Sequence, residues 1–321
     1  MNKIILVSIL ILSACLTTGA VQVFDLQSEI DAALPGATVN APCGVFDIGD
    51  VVIKSEYPPA ATWQKVVAIQ GCGHAHLGQS PAQGSSQWDY LINGGYYYGT
   101  VLRGTITLEK GTGTTPKVFF RDVSFIGFGE GVAIRYGDGV NMYPEGGFDS
   151  VSFGNYDTCL LLDMAYYISI DDVSMAGCGV GLELRSANAI TVNGLNVTTC
   201  NIGVRNTGNG NSFTGGSIQV CEVGFDLGGS SSTLGGVYFE QNTTSLIVSG
   251  TTNTVLSNYY AGNGGTIIVS GVGNDIFAAD TNGSITITGW RNRVDLSRES
   301  TVCINDTWPT LNNRCAVIYA P

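Results

Sequence analysis

The 321-residue sequence is poor in charged side chains, and most of all in positive ones. Charged residues make up 12% of it, about half the usual share. The 14 Lys and Arg residues stand against 26 Asp and Glu residues, for a formal net charge of -12. Binding to nucleic-acid phosphates needs clustered Lys and Arg, and here they are scattered. The composition therefore argues against a nucleic-acid partner.

Histidine is also scarce, which limits the available chemistry. The two histidines are His74 and His76, in Gly-Cys-Gly-His-Ala-His-Leu-Gly. A His-x-His pair in a strand could hold a metal ion, but no third ligand accompanies it, so two turn histidines are the favoured interpretation. A Gly-x-Ser-x-Gly nucleophile elbow is missing too, which argues against serine-hydrolase chemistry. We predict no metal and no cofactor.

What the sequence has in excess is glycine, within a repeat. Gly accounts for 44 of the 321 residues. One position recurs at spacings of 19, 22, 21, 21 and 21 residues, as Cys159, Cys178, Cys200, Cys221, Asn242 and Asn263. A period near 20 is typical of a solenoid, and short runs rich in Val, Ile, Thr, Phe and Tyr between turn residues indicate strands. We therefore predict one elongated parallel β-helix whose coils stack about 4.8 Å apart.

Residues 1–20 have the layout of a secretory signal peptide, with Lys3, an apolar run at 4–12 and then small residues. The run is too short to span a bilayer comfortably. Leu-Ser-Ala-Cys, ending at Cys15, resembles a bacterial lipobox that would carry a lipid anchor, whereas the small residues at 18–20 suit ordinary cleavage; both remain open. We predict a secreted or cell-surface protein. The alternative is a virion protein in which this segment is a buried strand.

A capping helix is predicted directly after this segment, at residues 24–34. Asp25 is placed to cap it, and Leu26, Ile30 and Leu34 fall on one face. A solenoid exposes apolar core and unpaired strand edges at an open end, so a helix is the expected cover there.

This stretch also carries a family resemblance. The run Asp-Leu-Gln-Ser-Glu-Ile-Asp-Ala-Ala-Leu, followed by Pro-Gly-Ala-Thr-Val and then Pro-x-Gly-Val-Phe-Asp-Ile, resembles the beginning of the pectate-lyase-like (pectin-lyase-fold) superfamily. That group includes polysaccharide lyases, glycosidases and phage tailspikes. The resemblance implies an all-β fold, a single-stranded right-handed parallel β-helix over residues 21–294. It also implies a polysaccharide or cell-surface glycan as partner and, by similarity to the spikes, a homotrimer.

The coil rhythm is interrupted by a loop insertion at about residues 74–100. Its aromatic rings suit stacking on sugar faces, so we predict that they bind substrate: Trp88, Tyr90, Tyr96, Tyr97 and Tyr98. Insertions in solenoids form loops, and long loops are often functional. The alternative for any single ring is that it packs the loop onto the barrel.

The cysteines other than Cys15 number eight, an even count that permits disulfides in an exported chain. Coil stacking would place Cys159 beside Cys178 and Cys200 beside Cys221, within disulfide range. Side chains in register run parallel, however, which suits the disulfide torsion poorly. We therefore predict a ladder of buried, reduced thiols that act as small apolar groups.

The ladder and the end of the chain carry further predictions. Asn242 and Asn263 are expected to continue the stack as an amide ladder that bonds the turn backbone. Residues 295–321 depart from the repeat and are expected to form a C-terminal cap, stapled by a disulfide between Cys303 and Cys315.

Charged residues form a second column, five residues after the ladder position. It contains Glu183, Arg205 and Asp226 in successive coils, and Asp163 joins it if its coil is one residue shorter. Alternation turns this column outward. Glu183 and Asp226 would be about 9 to 10 Å apart, near the upper end for an inverting glycosidase, while Asp163 and Glu183 would approach retaining geometry. These four residues are the predicted catalytic site; the alternative is an ion-pair ladder worth at most about 1 kcal/mol per exposed pair.

Known active sites of the superfamily are incomplete in this sequence. Asp171-Asp172 resembles the paired aspartates of polygalacturonases, but the Gly-His-Gly and Arg-x-Lys elements are absent, as are the clustered calcium ligands of typical pectate lyases. The predicted function is polysaccharide binding, and if the protein cleaves its ligand, hydrolysis is favoured over lyase chemistry. The alternative is a non-catalytic structural or adhesive module, such as a viral tail spike or receptor-binding protein.

Overall fold

The computed structural model describes residues 22–55, 66–74, 81–88, 99–111, 114–256, 258–261, 266–279, 284–296, 302–305 and 314–317. These residues form one short helix and strands that pair in parallel from coil to coil. The fold is a parallel β-helix, as the repeat predicts.

The strands are numbered in chain order. The first are β1 (Gln22–Val23), β2 (Ala37–Asn40), β3 (Gly44–Lys54), β4 (Val66–Gln70), β5 (Thr100–Glu109), β6 (Lys117–Ile126), β7 (Val132–Tyr136), β8 (Tyr143–Gly154) and β9 (Thr158–Asp163). The next are β10 (Ala165–Asp171), β11 (Ser174–Ala176), β12 (Val180–Arg185), β13 (Thr191–Thr198), β14 (Ile202–Asn206), β15 (Ser212–Gln219), β16 (Val223–Leu227), β17 (Thr233–Gly235) and β18 (Tyr238–Glu240). The last are β19 (Thr244–Val248), β20 (Thr254–Leu256), β21 (Tyr259–Ala261), β22 (Thr266–Val269), β23 (Asp275–Ala279), β24 (Ser284–Ile287), β25 (Arg293–Leu296), β26 (Val302–Asn305) and β27 (Arg314–Val317).

The coils present three faces, each a continuous run of parallel pairing. Face 1 runs through β4, the first halves of β6 and β8, β10, and the first halves of β13 and β15. Face 2 runs through the first half of β5, the second halves of β6 and β8, and β11. Face 3 runs through β7, β9, β12, β14, β16 and β19. Residues in the left-handed region, such as Ser150 (φ 55°) and Asp172 (φ 51°), turn the chain from face 1 to face 2.

Inward residues stack from coil to coil into apolar ladders. The rings of Phe120 and Phe148 lie 5.1 Å apart between centroids, and those of Phe125 and Phe153 lie 5.5 Å apart. All four are buried. Alternation places every second strand residue inside, and the parallel register then stacks similar residues. Each aromatic pair contributes about 0.5 to 1.5 kcal/mol beyond the burial of its area.

The helix α1 (Leu26–Ala32) covers the N-terminal coil, as predicted. Asp25 caps it by accepting a hydrogen bond from the Ser28 N–H at 3.0 Å, and Leu26 and Ile30 are buried. The prediction that Leu34 shares their face is wrong, because the helix ends at Ala32 and Leu34 lies 75% exposed in the following turn.

The repeat ladder is shifted by three residues at its first member. Strand pairing places Val180 opposite Thr158 and Ile202, so Tyr156 lies in the column of Cys178 and Cys200. Cys159 lies further along its coil, and the prediction that it stacks in register is wrong. The 19-residue spacing suggested a short coil, whereas the true offset there is 22 residues (180 − 158).

This shift explains the cysteine chemistry. Cys159 and Cys178 form a disulfide with a Cα–Cα distance of 6.1 Å, so the reduced-thiol prediction is wrong for this pair. Because Cys159 is out of register with Cys178, their side chains are not held parallel as in a stacked pair. The prediction is confirmed for Cys200 and Cys221, which are free and buried.

The remaining cysteines lie in the first and last parts of the chain. Cys43 and Cys72 form a second disulfide, and disulfides are compatible with an extracellular protein. The side chains of Cys303 and Cys315 lie outside the described part of the structure. Their strands, β26 and β27, continue the parallel pairing into the segment 295–321.

Asn242 continues the cysteine column as predicted. Its side-chain carbonyl accepts from the Cys221 N–H at 2.9 Å, and its amide donates to the Ile218 carbonyl at 2.8 Å. Asn263 lies outside the described residues.

A second buried ladder at one corner of the coils was not anticipated from the sequence. It consists of Asn211, Ser232, Asn253, Asn274 and Asn292. Each side chain accepts a hydrogen bond from a backbone N–H of the preceding coil. The asparagine amides donate to main-chain carbonyls as well. The ladder thus satisfies the polar backbone of a buried turn.

Within the described residues, no helix is both long and apolar enough to cross a membrane.

Candidate functional site

The predicted charged column is present on face 3. Glu183 lies opposite Arg205, and Arg205 lies opposite Asp226, in the pairing of β12, β14 and β16. The column continues as Ile247 and Ile268. The sequence register for these five residues is therefore confirmed.

Asp163 does not belong to this column, and that part of the prediction is wrong. Leu161 is the residue opposite Glu183, while Asp163 lies opposite Arg185, two residues further along the strand. The error has the same origin as that of Cys159, since both assignments assumed a coil shorter than the one the chain forms.

The charged side chains of face 3 form a continuous row of ion pairs. The Asp163 carboxylate lies 3.7 Å from both the Arg135 and Arg185 guanidinium groups. The Glu183 carboxylate lies 3.0 Å from Arg185 and 4.0 Å from Arg205. The side chains of Asp163 and Glu183 are only 5% and 12% exposed. Both carboxylates are thus covered and each is held between two arginines.

Asp226 ends the row and differs from the other carboxylates. Its side chain is 29% exposed and lies 3.9 Å from Arg205. Burial raises the pKa of Asp226, and the positive charge of Arg205 only partly offsets this. The contacts of Asp163, Glu183, Arg205 and Asp226 are those of the ion-pair alternative; their catalytic role stays a prediction.

The described part of the insertion packs onto face 2. Trp88 is 1% exposed, and its indole N–H donates to the Ala82 carbonyl at 3.0 Å. Its ring lies against Gly154 and Gly177, where a β-carbon would come within 2.7 Å of ring atoms. The ring therefore has no free face for a sugar, and the packing alternative holds for Trp88. Tyr90, Tyr96, Tyr97 and Tyr98 lie outside the described residues, so their binding role stays a prediction.

Two cavities lie along β8 and β10, one on face 1 and one at the corner that precedes it, and we call the pair the face 1 groove. Its inner end is a cavity of about 350 Å³. The outward side chains that line this end are Phe119, Arg121, Asp149, Ser169 and Asp171. Asp149 lies opposite both Arg121 and Asp171 in the strand register. An aromatic ring, a guanidinium and two carboxylates therefore meet in one concave site.

The outer end of the groove lies along the same two strands, β8 and β10. It is a cavity of about 600 Å³ lined by Lys110, Asn141, Met142, Pro144, Tyr166 and Tyr167. Tyr167 is 69% exposed and Met142 is 62% exposed. A large apolar surface with polar edges is thus open to solvent here.

Asp138 organises the loop that carries Met142. Its carboxylate accepts from the N–H groups of Val140 and Asn141 at 2.9 and 2.7 Å, from the Asn141 amide, and from the Tyr143 hydroxyl. Burial acts to raise the pKa of Asp138, but these hydrogen bonds outweigh it and lower the pKa to about 2. The loop wall of the groove is therefore held by an ionised carboxylate.

Asp171 at the inner end is also held in place. Asp171 accepts hydrogen bonds from the Ser169 hydroxyl and, at 2.8 Å, from the Asn193 amide. At the rim, Lys117 forms an ion pair with Glu145. The described residues include no group of three or more His, Cys, Asp or Glu side chains placed to hold a metal ion.

Sequence reasoning missed this groove for a definable reason. In the sequence Asp171 stands beside Asp172, whereas its spatial partner is Asp149, one coil earlier. The available signal was the 22-residue offset of these two aspartates (171 − 149). That offset equals the 22-residue step in the repeat itself.

Comparisons with known proteins support the fold. The sequence matches no family model and no curated protein. The DFA-IIIase of Arthrobacter chlorophenolicus A6, solved in complex with DFA-III, is 14% identical, with 92% of each chain covered and a TM-score of 0.51. The A-module of a mannuronan C-5 epimerase from Azotobacter vinelandii is 12% identical, with 94% of this chain and 97% of that chain covered and a TM-score of 0.50. This chain therefore shares the parallel β-helix fold of these carbohydrate-active enzymes.

Proposed function

We propose that the protein binds polysaccharide in the face 1 groove. The observation that carries this proposal is the composition of the groove, which has exposed Tyr167 along the same two strands as a polar end containing Arg121, Asp149 and Asp171. Sugars present apolar ring faces and hydroxyl groups, so aromatic surface next to a few placed polar groups is the matching site.

The backbone at Tyr167 adds to this support. Tyr167 has a φ of 57°, a left-handed conformation that is unusual for a bulky residue. The same corner carries Ala189 and Gly210 in the next two coils, so the corner does not require a large side chain. The fold therefore imposes the left-handed conformation at this corner, and the packing there does not call for a ring. An exposed tyrosine there fits a binding role better than a packing role.

The fold comparison also favours carbohydrate binding, but it does not locate a site. DFA-IIIase has been solved with the carbohydrate DFA-III, and the other neighbour is a mannuronan epimerase. At identities of 14% and 12% this is analogy at the level of the fold, which hosts many functions.

Binding is tested with a panel of soluble polysaccharides: inulin and glucomannan as neutral probes, alginate and polygalacturonate as anionic ones. Tyr167→Ala is expected to weaken binding of the best probe about tenfold, the loss of roughly 1.4 kcal/mol expected for one stacking contact. Phe128→Ala is the matched control, because Phe128 is 62% exposed, close to the 69% of Tyr167, but does not line the groove. Equal affinities of the two variants, or no binding by the unaltered protein, would overturn the proposal and favour a structural module.

Hydrolysis is a second candidate function, favoured by the register of Asp149 and Asp171. They lie one coil apart, and coils separated by about 4.8 Å bring two carboxylates close to the spacing of retaining glycosidases. Release of reducing ends from the bound probe is the assay. Loss of activity in Asp149→Asn and Asp171→Asn, but not in the double variant Glu183→Gln/Asp226→Asn, would assign cleavage to the groove. The reverse pattern would assign it to face 3.

Export and assembly belong to the same proposal. Residues 1–20, with Cys15 as one of the two alternative processing sites, lie outside the described residues, so secretion or surface display stays a prediction, as do the virion alternative and the homotrimer. Polysaccharide outside the cell is the ligand that export would allow the protein to reach. Labelling of intact cells with an antibody to the protein, compared with a Cys15→Ser variant, separates anchored from released protein.

A further inference from the structure

The inner end of the groove is shaped by a glycine, Gly147, which has no side chain to fill the space beside Phe119. Phe119, Gly147 and Ser169 occupy the same outward position in three neighbouring coils of face 1. A β-carbon at Gly147 would lie 3.3 Å from Cδ1 of Phe119 and 3.4 Å from the Ser169 carbonyl oxygen. The Phe119 ring therefore leans over a gap that any other residue would begin to fill. We call this gap the Gly147 cleft.

Three charged residues border the Gly147 cleft in the adjacent outward column. Arg121, Asp149 and Asp171 lie opposite one another in the strand register, two residues beyond Phe119, Gly147 and Ser169. The Ser169 hydroxyl and the Asn193 amide both donate to the Asp171 carboxylate, which fixes its position. The cleft thus combines an aromatic wall with a fixed hydrogen-bonding edge.

We propose that the Gly147 cleft is a subsite for one neutral sugar residue of the bound polysaccharide, an inference that rests on the proposed binding in the face 1 groove. The partly buried ring of Phe119 packs against the apolar face of the sugar. Hydroxyl groups at the sugar edge donate to the carboxylates of Asp149 and Asp171 and accept from the Arg121 guanidinium.

The size of the cavity limits the ligand to a single residue at this end. Its volume of about 350 Å³ is at the small end of ligand sites, which run from about 300 to 1,000 Å³. The polysaccharide continues into the larger cavity beside Tyr167, which lies along the same strands.

The charge of the cleft selects against acidic sugars. Two carboxylates and one guanidinium border it, and the whole chain carries a formal net charge of -12. A uronate or sulfate group in the cleft would face Asp149 and Asp171 and be repelled, whereas a neutral sugar offers these acceptors only hydroxyl donors. Specificity here arises from repulsion of the wrong ligand as well as attraction of the right one.

The test compares two glycine substitutions on the same face. Gly147→Val fills the cleft and pushes against Phe119, while the backbone there accepts a side chain because its φ is not positive. Gly235→Val is the matched control: Gly235 faces outward on face 1, and a β-carbon there meets only ordinary contacts at 3.6 Å or more. Binding of inulin, glucomannan, alginate and polygalacturonate is measured by titration calorimetry, and folding by circular dichroism.

We expect the unaltered protein to prefer a neutral probe, Gly147→Val to bind it at least tenfold more weakly, and Gly235→Val to bind it within twofold of the unaltered protein. If Gly147→Val fails to fold, two single variants, Gly147→Ala and Phe119→Leu, replace it. Each is expected to weaken binding at least threefold. A preference for alginate or polygalacturonate would overturn the subsite. Equal binding by the two valine variants would overturn it too, even where Tyr167→Ala weakens binding. Absence of any binding, or no effect of Tyr167→Ala, would instead overturn the proposed function itself.

Discussion

Asp163 is the register partner of Arg185, and its carboxylate lies 3.7 Å from the guanidinium of that residue. Arg135 approaches the same carboxylate from the preceding coil at 3.7 Å. Asp163 is therefore the anchor of the ion-pair row on face 3, with its side chain 5% exposed while both arginines reach solvent. A carboxylate so well covered is placed for stability more than for contact with a ligand.

Asp163→Asn is expected to lower the free energy of unfolding by about 1 to 2 kcal/mol. The substitution removes the negative charge that offsets the repulsion between the two arginines. The arginines are 43% and 49% exposed, so water limits the loss. Chemical denaturation at neutral pH measures it. Asp226→Asn, at the more exposed end of the row, serves as control and should not lower the free energy of unfolding at neutral pH. Equal losses in the two variants would contradict the anchoring role.

Asp226 also predicts a pH dependence of stability. Burial raises the pKa of Asp226 in the folded chain above its ordinary value of 3.8. The folded chain then binds this proton more tightly than the unfolded chain, so the contribution is present below pH 3.8 and is lost as the pH rises through the raised pKa. Asp226→Asn should therefore gain stability relative to the unaltered protein as the pH rises from 3 to 7. Denaturation curves at several pH values test this, and a relative loss over that range would refute it.

The register of the repeat shows which residues can be aligned between coils from the sequence alone. Glu183, Arg205 and Asp226 were aligned correctly because their coils have nearly equal lengths of 22 and 21 residues (205 − 183 and 226 − 205). Cys159 and Asp163 were misaligned because a cysteine was matched to a cysteine across an irregular coil. Backbone pairing, not side-chain identity, sets the register, and pairing between coils cannot be derived from one repeat position alone.

Trp88 yields a prediction that separates packing from ligand binding. Trp88→Ala is expected to lower the free energy of unfolding by about 3 kcal/mol, because the buried ring fills space between the insertion and face 2. Gly154→Ala should also destabilise, since its β-carbon would lie 2.7 Å from Cη2 of Trp88. Thermal unfolding followed by tryptophan fluorescence measures both. A Trp88→Ala variant that unfolds like the unaltered protein but loses glycan binding would restore the predicted binding role.

Trp88 also illustrates why the site was harder to predict than the fold. Alternation and period identify coils from residue type alone, whereas the role of an aromatic residue in an insertion depends on whether the loop folds back onto a face. Here Gly154 and Gly177 supply the space for the ring. Asp149 and Asp171 meet only because two coils stack, a relationship that the sequence pair Asp171-Asp172 does not reveal.

The buried asparagine ladder gives the sharpest test of what holds the coils in register. Asn253 accepts from the Ser232 N–H at 2.9 Å and donates to the Gly229 carbonyl at 2.9 Å. Asn253→Ala leaves the buried Ser232 N–H without a partner, while the Gly229 carbonyl still accepts from the Thr251 N–H at 3.2 Å, so we expect a loss of about 1 to 3 kcal/mol in the free energy of unfolding. Asn253→Asp keeps the acceptor but buries a negative charge against the Gly229 carbonyl, and should lose at least as much as Asn253→Ala at neutral pH.

Asn209→Ala is the matched control for the ladder, because Asn209 also bonds the next coil, accepting from the Ser230 N–H at 3.2 Å, but lies exposed at the surface. Water can replace an exposed partner, so the expected loss is below about 0.5 kcal/mol. Urea denaturation of the three variants beside the unaltered protein gives the comparison. Similar losses for Asn253→Ala and Asn209→Ala would mean that the strands, and not the buried amides, fix the spacing of the coils.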